Sequence, residues 1–243
     1  MDAIDTRERG AVRNGQPTYS DDRLFMQLLA FGESTQPAAL IEALRPAPFD
    51  SVLYDDASDP RGVALLSWSK DPAFFATTLR DFLIQPPFLR LTPKLEYTML
   101  GRTYAIGHEP DLADWLIEKP RRTVLNPQSP WAVWYPLRRS GAFSALPQEE
   151  QIPILAEHGR IGHAFGTQGL AQDVRLACFG IDKNDNDFVI GLIGQELFPL
   201  SYCVQAMRKT RQTSQFIEKM GPFFVGHVRW QSPANIAAPP PGY

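Results

Sequence analysis

The chain has 243 residues, 21% charged and 44% hydrophobic, with a net charge of -3 and a pI near 5.8. That length supports one large domain or two small ones around a substantial core, and the slightly acidic balance argues against a nucleic-acid partner. No apolar run reaches the ~18 residues of a membrane helix, and MDAIDTRERGAVRNGQ lacks an apolar signal segment, so a cytoplasmic protein without membrane insertion is expected.

Residues 1–20 are polar and unpatterned, which predicts a mobile N-terminal arm. RLFMQLLAF (23–31) is apolar enough for a buried strand, and TQPAALIEALR (35–45) has helical spacing. SVLYDD and GVALLSWS read as two strands around the turn-rich ASDPR. DPAFFATTLRDFLI predicts one helix with Asp71 as N-cap and Pro72 at the first helical position. LEYTMLGRTYAIG (95–107) predicts a long strand closing a first half, 21–108.

Residues 109–130 are too apolar for a loose linker and predict a short helix and a proline-kinked crossing. The second half, 131–231, repeats the order of the first. WAVWYPLRR (131–139) is a strand and LPQEEQIPILAEHGRIGHAF (146–165) a helix. VRLACFGI and DFVIGLIG are strands joined by DKNDN. ELFPLSYCVQAMRKTRQTSQFIEKM is one long helix, and GPFFVGHVRW is the last strand. The proline-rich end, 232–243, predicts an extended tail. Cys178 and Cys203 lie inside apolar runs without CxxC spacing, which favours buried thiols over a disulfide or a zinc site.

Each half is thus β-α-β-β-α-β, the ferredoxin-like order. The expected fold class is α+β, with two such halves pairing their open sheet faces as a dimeric α/β barrel with helices outside.

On the helix 146–165, Leu155, His158, Ile161, Gly162 and Phe165 form one stripe, so His158 points inward. Such a histidine either packs in the core against a carbonyl or serves as the one protein nitrogen an iron porphyrin needs. Gly159 and Gly162 would leave room for a flat ligand; His163, at i+5, lies on another face, which disfavours zinc. Arg121, Arg122, Arg138 and Arg139 surround Trp131, Trp134 and Tyr135. Arginine forks beside aromatic rings suit the carboxylates of an apolar disc, or a solvated strand edge with stacked arginines.

WYPLRRSGAFSALPQEEQIPILAEHGRIGHAFG resembles the core of the chlorite dismutase family, in particular its coproheme decarboxylase branch. MRKTRQTSQFIEKMGPFFVG is similar to the family's final helix and strand. The resemblance covers about residues 94–230, and the first half matches by topology alone. It implies His158 as the proximal iron ligand, Tyr135 as a redox-active tyrosine, and Arg121, Arg139 and Thr213 as partners of porphyrin propionates. It implies haem b or coproheme as the cofactor, peroxide or chlorite as the small-molecule partner, and a homo-oligomer, a pentamer above all. Two departures stand out. The position of the distal arginine of true chlorite dismutases falls on Asp173, with Arg175 two residues on along the same strand face and able to take that role after a register slip. The position of a glutamate that bonds the proximal histidine falls on Ile193, which argues for the decarboxylase side. The implied activity is peroxide-dependent oxidative decarboxylation of coproheme; the alternatives are chlorite decomposition and a porphyrin carrier or sensor on the same fold.

Overall fold

The computed structural model describes residues 3–233. The expected tail, from residue 234 on, lies outside the described residues.

The expected mobile arm is instead a hairpin, β1 (Glu8–Arg13) with β2 (Gln16–Ser20). Asn14 and Gly15 both have positive φ, 51° and 78°, the pairing that makes a two-residue turn match the twist of its strands. The hairpin is tied down. The Glu8 carboxylate accepts from Arg102 at 2.9 Å and from the Ala105 N–H at 3.0 Å, and the Ala11 N–H donates to the Glu109 carbonyl.

β3 (Phe25–Gly32) follows, then α1 (Pro37–Leu44), which opens on proline and buries Leu40 and Leu44 one turn apart. β4 (Ser51–Asp56) and β5 (Val63–Ser69) form the next hairpin. The helix expected at 71–84 is broken into α2 (Ala73–Ala76) and α3 (Thr78–Leu83). Thr77 leaves helical geometry at φ -123° and ψ -93°, with its hydroxyl bonded back to the Ala73 carbonyl at 2.8 Å. Pro72 holds the cap position itself, while the Asp71 carboxylate still accepts from the Ala73 N–H at 2.9 Å.

After a 3-10 turn at Phe88–Arg90 and the two-residue β6 (Thr92–Pro93), a second 3-10 turn at Leu95–Tyr97 replaces the start of the expected long strand. β7 spans only Met99–Arg102. Beyond it the buried Glu109 carboxylate accepts from the N–H groups of Ile106, Gly107 and His108, each at 3.0 Å, which curls the backbone out of the ladder.

The connecting segment is a π-helical turn (Asp114–Glu118) running into α4 (Lys119–Val124). Pro120 has no N–H to give to the preceding turn, where the helix widens. Then come β8 (Trp131–Arg139), α5 (Gly141–Ser144), the 20-residue α6 (Gln148–Thr167), β9 (Gln172–Ala177) and β10 (Phe188–Gly194). The expected long helix at 196–220 divides into α7 (Leu197–Met207), α8 (Arg211–Phe216) and a strand, β11 (Ile217–Met220), before β12 (Phe224–Gln231). Its apolar stripe ends at the polar run RKTRQTSQ, where Thr210 caps α8 through the Thr213 N–H.

Each half orders its strands as a ferredoxin-like sheet, β7-β3-β5-β4 and β12-β8-β10-β9, all antiparallel. β4 pairs with β12 and β7 with β9, so the two sheets close into one barrel. This is the α+β dimeric barrel expected from the sequence. Alternation along each strand then sorts the side chains. Met26, Leu28, Tyr54, Leu66, Trp134 and Phe224 fill the interior, joined by Leu112, Leu116 and Val124 of the connecting segment. Leu29, Phe31, Leu53 and Leu65 face outward under α1 and α3. Val133, Tyr135, Leu137 and Leu192 face outward under α7. Inside, the Trp134 ring lies across Gly191, where an added Cβ would come within 2.6 Å of ring carbons. That glycine is required by close approach rather than by φ.

Candidate functional site

The outer face of the second half carries most of the residues singled out in the sequence. Register places Arg175, Ile190 and Tyr135 in one cross-strand row over β9, β10 and β8, and Asp173, Leu192 and Val133 in the next. Arg139 lies further along β8 on the same face as Tyr135. Ile193 belongs to the barrel interior, against Trp134 and Val174, so the expectation that it stands beside His158 is overturned. One residue of register separates the two faces, and the side chain sharing the site's face is Leu192.

Above this face, α6 is anchored at its ends. Ile154 packs with Phe143 and Phe216, and Phe165 with the cluster around Leu200 and Cys203. Between them the helix carries His158, half-buried, with Ile161 and Gly162 also half-buried. Leu155, expected on the inward stripe, is 40% exposed. A Cβ added to Gly159 would meet nothing within 4 Å, and one on Gly162 only the Met207 methyl at 3.5 Å. His158 Nδ1 lies 3.4 Å from the Thr210 hydroxyl. Burial, and then the positive charges of Arg139 and Arg175, push its pKa down to about 4, so the imidazole is neutral at physiological pH.

Arg139 is held between the rings of Phe143 and Phe188, its guanidinium carbon 4.5 and 4.9 Å from their centroids. Its Nε is buried and has no hydrogen-bond partner among the described residues, and burial lowers its pKa. Its backbone N–H donates to Asp187 at 2.7 Å. Tyr135 is 5% exposed and stacks on Phe223; burial raises its phenol above the ordinary tyrosine range. Arg175 pairs through Nε with Asp173 at 2.9 Å and lies over the Trp115 ring. Asp173 and Arg175 therefore share the face as an ion pair. Thr213 joins through Thr210, to which its N–H donates at 3.3 Å.

Arg121 is not brought to this face. Its guanidinium binds Glu118 and Asp50, both at 3.2 Å, beside the first half. The cation that reaches the site from the same helix is Lys119, two residues earlier, with its ammonium 4.0 Å from the Trp115 centroid and its pKa lowered by burial. Lys119, Tyr104, Trp115, Asp173 and Arg175 line one cleft. Sequence reasoning missed Lys119, Tyr104 and Thr210. The first two lay in segments read as linker and strand, and Thr210 was hidden inside a helix read as continuous. The polar run 208–215 was the signal that this helix breaks.

A family model described as chlorite dismutase matches residues 114–229. A search of curated protein sequences returns no match. Among solved structures, the chain is similar to one described as a novel heme-binding protein from Thermus thermophilus. The two share 18% identity and a TM-score of 0.64, over 85% of this chain and 91% of that one. It is also similar to chlorite dismutase from Candidatus Nitrospira defluvii in complex with imidazole, at 14% identity and a TM-score of 0.65, over 88% of this chain and 93% of that one. These likenesses carry the fold across both halves, including the first, which the family model leaves out. The sequence match falls on the half that holds His158 and Tyr135, and over that half the chain is similar to the chlorite dismutase family.

Proposed function

We propose that the chain binds an iron porphyrin through His158 and oxidatively decarboxylates the propionates of coproheme, which is both substrate and redox centre. The residues present fit such a group. His158 is a neutral imidazole, and an added Cβ at Gly159 would meet nothing within 4 Å and at Gly162 only the Met207 methyl. Arg139 has a buried Nε without a partner among the described residues, the donor a propionate would take. The observation that carries the reading is that Tyr135 and Arg139 share the outer face of β8, a phenol and a carboxylate-binding fork four residues apart on one strand.

When bound, ferric coproheme together with peroxide supplies the oxidising equivalents. The Tyr135 hydroxyl, on a ring fixed by Phe223, is the group that can give up a proton and an electron and then take a hydrogen from a propionate. Each propionate so oxidised would lose its carboxyl group as carbon dioxide and keep a vinyl group, and the one proton and two electrons released would be taken up by one peroxide. Arg139 and Thr213 bind and orient the carboxylates; Lys119 replaces Arg121 as the cation contributed by the connecting segment. Incubating the protein with coproheme and peroxide is expected to give products lighter by one and two carboxyl groups in the mass spectrum. Tight binding without that loss of mass overturns the reaction.

A second reading has an observation of its own. Arg175 stands in the Tyr135 row as a cation on the same face, suited to an oxyanion such as chlorite at bound haem b. Oxygen release on adding chlorite tests it. A homo-oligomer, a pentameric ring above all, is part of the proposal. Phe198 and Tyr202, 74% and 51% exposed on α7, support a face that a second copy covers. A monomer by light scattering at micromolar concentration would contradict it.

A further inference from the structure

We infer that Thr210 is the positioning residue of His158: its hydroxyl fixes the imidazole tautomer and gives the ring a neutral acceptor in place of a carboxylate. The inference rests on His158 as the iron ligand proposed above, and it begins from an accounting of one hydroxyl group.

Thr210 is 2% exposed, at the junction where α7 ends and α8 begins. A threonine hydroxyl has one hydrogen and two lone pairs. The hydrogen is engaged by the Met207 carbonyl at 2.8 Å, the shortest contact the group makes. One lone pair accepts from the Thr213 N–H at 3.3 Å, the cap of α8. The second faces the imidazole, with Nδ1 at 3.4 Å. The Thr213 hydroxyl oxygen, 3.3 Å away, is a second acceptor within reach of the Thr210 hydrogen, 0.5 Å farther than the Met207 carbonyl that takes it. With its hydrogen committed, Thr210 presents an acceptor, so Nδ1 carries the ring's proton and Nε2 keeps its lone pair. That is the tautomer a metal requires at Nε2.

The identity of the acceptor sets how much charge reaches the ring. A carboxylate draws the Nδ1 proton strongly and makes the imidazole a stronger donor; an alcohol, itself donating to a carbonyl, does so weakly. No carboxylate hydrogen-bonds to His158 among the described residues, and the position on which the family's glutamate falls is the apolar Ile193, in the barrel interior. The same hydroxyl also ties the ring to the α7–α8 junction. It does so beside a second tie, the Arg211 N–H donating to the Glu157 carboxylate at 3.0 Å.

The test uses the full chain without porphyrin, labelled with 15N-histidine, with His158 assigned from the signals lost in His158→Gln. Native protein and Thr210→Ser are expected to show Nδ1 protonated and Nε2 not. Thr210→Val removes the acceptor, and the Nε2–H tautomer is expected to gain population. In haemin titrations followed at the Soret band, Thr210→Val is expected to bind about 10- to 100-fold more weakly, with Thr210→Ser near native. Thr210→Asp keeps the cap of α8 and supplies a carboxylate; it is expected to keep the Nδ1–H tautomer and to lower the reduction potential of the bound haem. It serves as the probe if Thr210→Val fails to fold. An Nε2–H tautomer in the native chain, or an unchanged tautomer in folded Thr210→Val, overturns the inference, as does an unchanged reduction potential in Thr210→Asp. If instead the tautomer follows residue 210 while His158→Gln binds haemin with a native spectrum, the positioning role stands and the ligand assignment fails.

Discussion

The rings of Tyr135 and Phe223 are stacked, with centroids 4.6 Å apart and planes at 23°. The contact is made by ring faces and not by the hydroxyl, so phenylalanine at position 135 preserves it. Tyr135→Phe is expected to leave folding and porphyrin binding near native and to abolish decarboxylation, because only the O–H can give up a proton with an electron. Single-turnover mass spectrometry of coproheme checks this; decarboxylation at the native rate would remove tyrosine from the chemistry.

His158→Ala is expected to eliminate the Soret shift on adding haemin or coproheme. His163→Ala and His108→Ala, at exposed positions, are expected to keep it. Optical titration of the three variants distinguishes a ligand from a packing histidine: a normal five-coordinate histidine spectrum in His158→Ala would be fatal to the assignment.

Arg139→Leu keeps an apolar side chain between Phe143 and Phe188 while removing the fork. Loss of one charge-assisted hydrogen bond, worth roughly 1.5–3 kcal/mol, is expected to weaken coproheme binding by about 10- to 150-fold. Haem b, with fewer carboxylates to satisfy, is expected to lose less. Equal losses for the two porphyrins in parallel titrations would mean that Arg139 supports the fold and not the ligand.

Gly191→Ala is expected to destabilise the chain by about 1–3 kcal/mol, since a methyl group there enters the space of the Trp134 ring, which is 0% exposed and has nowhere to move. Urea unfolding followed by tryptophan fluorescence measures it. A further expectation is that the displaced Trp134 disturbs its neighbour Tyr135, so reaction rate should fall together with stability.

The fold was legible where apolar periodicity ran unbroken. The barrel strands at 25–32, 51–56, 63–69, 131–139 and 188–194 all lie within or close to runs readable by eye. Periodicity failed where single polar groups redirect the backbone. Thr77 and Thr210 break helices with hydroxyl hydrogen bonds, and Glu109 takes three N–H groups that would otherwise extend a strand. The Asn14-Gly15 turn was written in the sequence and outweighed by the polarity around it. In the site, the residues of β8 and α6 were readable from the motif, because strand and helix periods fix which face each residue takes. Lys119 in place of Arg121 was not, because a π-helical turn precedes α4 and displaces the residues that follow around the helix axis. Ile193 was misassigned by one step of a two-residue period.

The closure of the barrel has a consequence for how the chain is made. β12 is hydrogen-bonded to β4 on one side and to β8 on the other, so this late strand makes the longer seam between the halves, the other being the single pair of β7 with β9. Until residues 224–231 leave the ribosome, β4 has a bare edge and the interior surface around Tyr54 and Trp134 has lost one wall. During synthesis the first half must therefore wait, partly assembled, for almost the whole of the second. Nascent chains stalled before residue 224 should be the ones that chaperones hold.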